Sequence, residues 1–206
     1  MSDHGDFDAT RQRLWDELVA IHDSWHQYRY LYVESRERVR MLNACARWFF
    51  ASVQRLLVRD VILGISRLTD PLTVGGFDNL VLRRLVLDPA VSQHDGLAEQ
   101  LKRLISDVET RAAPIRKHRN KYIAHLDHAT AVNPADNVLP GVSVSEISGL
   151  IESMEAIYNL HGGRVRQSDS EFALAAMGSV ESLALVLEGS ERWKKFETIT
   201  EHLKAQ

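Results

Sequence analysis

Cysteine occurs once in the 206 residues, at Cys45, so no internal disulfide can form and the chain suits a reducing compartment. Cys45 lies among Leu42, Ala44 and Ala46, which marks it as a core thiol rather than a nucleophile. Proline is scarce, at 5 residues, and there is no low-complexity tract, which excludes a fibrous or largely disordered chain. No run of eighteen apolar residues occurs, and Met1 to Thr10 is acidic and polar without the apolar segment of a secretory signal, so a cytoplasmic protein without membrane attachment is expected. An excess of positive charge is lacking too: the formal net charge is -3, so any nucleic-acid affinity must come from a local patch. Neither Gly75-Gly76 nor Gly162-Gly163 sits in a G-x4-G-K-[ST] frame, which excludes a phosphate-loop nucleotide engine. The length suits one domain, perforce large enough to bury roughly 70% of the surface its unfolded chain exposes.

What the chain has throughout is helical period, and no stretch alternates between turn residues as a strand would. The expected class is all-α, a helical bundle. A first helix is expected from about Thr10 to Glu34, burying Leu14, Leu18, Ile21, Trp25, Tyr28 and Tyr32. A second runs from about Arg36 to Leu68, with Val39, Leu42, Ala46, Phe49, Val53, Leu56, Leu57, Leu63 and Gly64 on one side, and Asp70-Pro71 ends it. Gly75-Gly76 marks a loop, Asp78 a cap for a short helix through Leu87, and Asp88-Pro89 a break. The next helix spans about Leu97 to His128, where Pro114 forces a kink or a restart. Residues 129 to 142 form the longest loop. Ser143-Val144-Ser145-Glu146 reads as a capping box opening a helix that stops at Gly162-Gly163, and further helix follows from about Glu171 with a bend near Gly189.

The densest chemistry lies at the end of the Pro114 helix. Residues 111 to 121 carry Arg111, Arg116, Lys117, Arg119 and Lys121 with no acidic residue, and the stretch from Arg119 to His125 joins a permanently charged guanidinium to a titratable imidazole. That pair can do phosphate chemistry without a metal. With Arg119 at zero and ~100° per residue, Ile115, Ile123 and Leu126 surround it, so Arg119 faces inward and needs an anion. On the same wheel Tyr122 falls at about 300° and His125 at about 240°, so one helix splays Arg119 from His125. Two copies related by a two-fold axis would reunite them, which predicts a homodimer with a composite site. The same wheel centred on Val53 puts Asp60 and Arg67 in the apolar stripe, so both are expected to be buried. Asp60 and Asp70 are alternative counter-ions for Arg119.

The Arg119-Asn120-x4-His125 pattern, with Trp25 to Tyr32, Asn43 to Phe50, Asp60, and Ile65-Ser66-Arg67-Leu68-Thr69-Asp70 before it, resembles the abortive-infection, AbiU2-like branch of the HEPN proteins. The resemblance covers residues 10–130, read as a HEPN-like bundle core, with residues 143–206 as C-terminal helices packing on the same domain. It implies an all-α dimer whose Arg119 and His125 cleave RNA in phage defence or as a toxin, with an antitoxin or defence-system protein as a possible partner. The reaction implied is attack of a ribose 2′-hydroxyl on the adjacent phosphate, leaving a 2′,3′-cyclic phosphate and requiring no metal or other cofactor. His125 moves the proton, Arg119 stabilises the phosphoryl charge, and Asn120 or Tyr122 orients the substrate. Asp60, Arg67 and Asp70 support the site, while exposed Arg116, Lys117 and Lys121 attract the RNA backbone.

Three other readings compete. Asp60, Arg67 and Arg119 can form an ion-pair network that only holds the bundle together. His118, His125 and His128, near Asp127, suggest zinc, although His118 and His125 lie about 10 Å apart along a straight helix, too far to share one ion. A non-catalytic dimeric module could bind RNA, a nucleotide or a protein in the same groove. His22 and His26, one turn apart, read as surface or interface residues rather than ligands.

Overall fold

A computed structural model describes residues 3–124, 141–165 and 180–189, without the side chains of 3–6 and 122–124. Helix α1 (Asp3–Tyr28) continues into a π-helical turn (Arg29–Val33), and α2 covers Arg36–Leu68. A hairpin of β1 (Thr73–Val74) and β2 (Phe77–Asp78) follows, then 3-10 turns at Leu82–Leu87 and Pro89–Gln93. Helices α3 (Leu97–Arg111) and α4 (Ala113–His118) lead into a second π-helical stretch (Arg119–Ala124), and α5 spans Val144–Val165. Residues 180–189 are helical. The all-α class stands, with one two-stranded hairpin. The chain divides into two compact units, residues 1–22 with 59–174, and residues 23–58 with 175–206.

The first unit is organised by α3, whose Leu97, Leu101, Ile105 and Val108 recur at three- and four-residue steps and are all buried. It packs against α5 and against the Leu82–Leu87 turn. From α1 come Leu14, Leu18 and Ile21, buried as the periodicity predicts, and from α2 come Val61, Ile65 and Leu68. Gly64 brings α2 onto Ile21: a Cβ there would sit 2.9 Å from Ile21 Cδ1 and closer still to its Cγ1. Pro114 stands in the first turn of α4, where its missing donor costs nothing, so the helix restarts. The capping box at α5 forms as read, with Ser143 N donating to Glu146 Oε2 at 2.6 Å and Glu146 N to Ser143 Oγ at 3.2 Å.

Two boundaries in this unit differ from the sequence reading. Asp78 caps no helix. Gly75 and Gly76 both adopt positive φ, at 59° and 83°, and close a tight hairpin that puts Asp78 opposite Thr73. There Asp78 accepts from Thr73 Oγ1 and pairs with Arg84. Nor does α5 stop at Gly162-Gly163; Gly162 is buried, and its missing Cβ leaves room for Arg11 Nη2, which would lie 2.6 Å from it. That glycine serves packing rather than capping.

The second unit has a small core of Leu31, Leu42, Phe50 and Val180, with Tyr30, Tyr32, Met41, Cys45 and Leu187 packed on it. Cys45 is therefore only partly buried, at the margin of that core. Tyr32 donates to the Phe50 carbonyl at 2.8 Å, and burial pushes its phenol up to about 12. The stripe expected along α2 fails here: Ala46, Phe49 and Leu56 are exposed, Phe49 and Leu56 at 62% each. The cause is Ala46 itself, whose non-helical φ of -159° and ψ of 70° breaks the helix and its angular phase. A wheel drawn through an unbroken helix cannot cross that point. His26 Nε2 meets Glu181 Oε1 at 2.8 Å in this unit, and His22 Nδ1 meets Glu155 Oε1 at 2.6 Å in the first.

Candidate functional site

Helix α4 and the π-helical stretch after it are seated on the C-terminal end of α2 by two arginines three residues apart, which share one helix face. Arg116 comes first. Its Nη1 donates to the Thr69 carbonyl at 3.1 Å and to Thr69 Oγ1 at 3.0 Å, and its Nη2 donates to the Glu109 carbonyl at 2.8 Å. It thereby ties α2, α3 and α4 together and satisfies carbonyls at helix ends. Arg119, one turn on, grips the next residue: Nη1 lies 2.5 Å from Asp70 Oδ2, and Nε donates to Asn120 Oδ1 at 3.0 Å.

Arg119 thus faces inward as its wheel position predicts, with 20% of its side chain exposed against 21% for Asp70. The anion is Asp70. Asp60 is exposed, and so is Arg67, which pairs with Glu17 at 2.8 Å; the expectation that both are buried is overturned. The wheel took Val53 as its buried centre, but Val53 is only half-buried, and the buried face of the last turns of α2 runs through Val61, Ile65 and Leu68, ~60–120° round from it. Lys117 is exposed as expected, whereas Arg116 and Lys121 are partly buried. Arg116 is the residue whose structural part the sequence reading missed, although its three-residue spacing from Arg119 signals a shared face.

Residues Arg119–Ala124 form i to i+5 rather than i to i+4 turns, a geometry that recurs at functional sites. Each residue then turns through less than the ~100° of an α-helix, so the wheel used to splay Arg119 from His125 does not describe this stretch. Among the described residues Asp70 and Asn120 engage two of the guanidinium's five donors. Tyr122's side chain and the whole of His125 lie outside the described residues. His118 is partly buried, and desolvation lowers its pKa, favouring the neutral imidazole. Among the described residues no group of three or more His, Cys, Asp or Glu could hold a metal, and His125, Asp127 and His128 of the zinc reading lie outside them. No helix among them is long and apolar enough to cross a membrane.

A second polar cluster escaped the sequence reading. His161 on α5 is fully buried, with Nε2 3.0 Å from Asp88 Oδ2 and Nδ1 without a hydrogen-bond partner among the described residues. Asp88's other oxygen caps the Pro89–Gln93 turn by accepting from Ala90 N at 2.9 Å. Arg11 lies 4.8 Å from the centre of the Tyr158 ring, and the Phe7 ring is 5.8 Å from that of His161. Burial lowers the His161 pKa and Arg11 adds to that, while Asp88 opposes them. Only the assembled fold joins Asp88 to His161, 73 positions apart.

The family model described as AbiU2, of the HEPN type, matches residues 5–183, beyond the 10–130 stretch that carries the resemblance. No curated protein and no solved structure was found to match the chain.

Proposed function

Because the chain belongs to the AbiU2 family of HEPN proteins, an abortive-infection branch, we propose that it is a metal-independent endoribonuclease acting in phage defence or as a toxin. The observation that supports this most is Arg119, an inward-facing guanidinium fixed by Asp70 and Asn120 at the start of the π-helical stretch that leads to His125. A fixed cation aimed where charge develops stabilises a phosphoryl transition state without reorganisation. In the proposed reaction the 2′-oxygen bonds to phosphorus while the bond to the 5′-oxygen breaks. His125 takes the 2′-hydroxyl proton, and the leaving 5′-oxygen gains a proton from solvent water, leaving 2′,3′-cyclic phosphate and 5′-hydroxyl ends. DNA, lacking the 2′-hydroxyl, is spared. Asp70 keeps Arg119 in place, Asn120 or Tyr122 orients the phosphate, and Lys117 with Lys121 supplies the salt-dependent attraction.

The test is incubation of purified protein with a mixed RNA pool in excess EDTA, beside His125→Ala and Arg119→Ala shown to be folded by circular dichroism. Wild-type cleavage to cyclic-phosphate ends, lost in folded His125→Ala, is the expected result. RNA that stays intact but is retained on the protein, with retention surviving His125→Ala, would instead identify a non-catalytic binding module.

A further inference from the structure

Beside the Arg119–Asp70 pair lies a pocket of about 170 Å³ lined by Glu17, Arg67, Leu68, Asp70, Asn79 and Leu80. It shares Asp70 with the site. A single water needs only ~10–15 Å³, whereas pockets for drug-sized ligands run to roughly 300–1,000 Å³, so this one suits a single planar ring system. Leu68 and Leu80 provide apolar walls. Besides Asp70 and Asn79, its polar groups are an acceptor, the Glu17 carboxylate, and a donor, the Arg67 guanidinium, held 2.8 Å from each other across α1 and α2.

From this arrangement we propose that the pocket is a guanine subsite for the nucleotide next to the phosphate held by Arg119, an inference that rests on the ribonuclease reading. Guanine is the base whose pairing edge sets two adjacent N–H donors, N1 and the 2-amino group, beside an acceptor, O6. A carboxylate takes both donors and a neighbouring guanidinium takes O6. Adenine offers one amino donor beside a bare ring nitrogen, which would face the carboxylate lone pairs. Cytosine offers one amino group, and uracil one ring N–H between two carbonyls. Asn79 fixes the pocket's rim: its Nδ2 donates to the Pro71 carbonyl at 2.8 Å and its backbone N to the Leu72 carbonyl at 2.7 Å, while the Asn79 carbonyl accepts from Arg84 Nε at 2.6 Å. The segment after α2 therefore presents Leu80 from a braced loop. Neutralisation of Asp70 by Arg119 and of Glu17 by Arg67 lets a nucleotide approach past two carboxylates.

The full chain is titrated by NMR with GMP, AMP, CMP and UMP at millimolar concentrations, and its cleavage products are sequenced in parallel. GMP should bind about tenfold or more tightly than the other three, a ratio typical of a bidentate base contact. Glu17→Gln should remove that preference without weakening AMP, because an amide offers one acceptor in place of two, and Leu80→Trp should fill the pocket and abolish GMP binding. Each variant is first shown to unfold cooperatively. Equal binding of all four nucleotides, no GMP binding at millimolar concentration, or a GMP affinity indifferent to both substitutions would overturn the proposal. The two readings fail separately: GMP preference without RNA cleavage leaves the subsite standing and removes the ribonuclease, while cleavage indifferent to guanine does the reverse.

Discussion

His161 shows at the scale of one residue how burial becomes a pH response. Its ring is fully buried, and its pKa lies below the ordinary 6.5 chiefly through desolvation. Between the folded and unfolded values the unfolded chain binds more protons, so stability falls as pH drops below 6.5 and stops falling beneath the folded pKa. Asp88 and Arg11 face the ring with opposite effects, Asp88 holding the shift back and Arg11 extending it. We expect the urea midpoint to fall between pH 7.5 and pH 5.5 in the wild type, and to fall less in His161→Gln, whose side chain does not titrate. A wild-type midpoint as flat as the variant's would show that the buried imidazole is not what titrates. Arg116 carries the complementary lesson: a charge in a basic run is not by that fact a solvated one.

At the scale of elements, the close approach of α1 and α2 depends on Gly64. Gly64→Ala gains up to ~1 kcal/mol of helix propensity. Against this, the new methyl meets Ile21, a side chain 2% exposed that cannot swing clear. Overpacking of this kind costs ~1–3 kcal/mol, so a net loss is expected, read as a lower urea midpoint with an unchanged slope. A higher midpoint would mean that Ile21 repacks freely. The helix pair was legible in sequence because Leu14, Leu18 and Ile21 keep period up to the contact. The break at Ala46 was not, since alanine is the best helix former and nothing in its identity marks a non-helical φ.

At the scale of the whole molecule, the composite site requires a second copy of the chain. A homodimer is what the resemblance read from the sequence implies, and the oligomeric state of the full chain tests it. Light scattering of the full chain at micromolar concentration should give twice the 23.4 kDa chain mass. A monomer that still cleaves RNA would place Arg119 and His125 in one chain's site and end the composite-site idea.

By itself the sequence determined the helical class, α2 to its last residue, the restart at Pro114, the capping box at Ser143 and the inward aspect of Arg119. All of these follow from local spacing and from chemistry that acts within a few residues. Tertiary structure alone decided that Asp70 and not Asp60 meets Arg119, that Arg116 clamps three helices, and that Asp88 meets His161. Such pairings join residues tens of positions apart. They depend on which face a helix buries and which ends pack together, which no periodicity within one segment records.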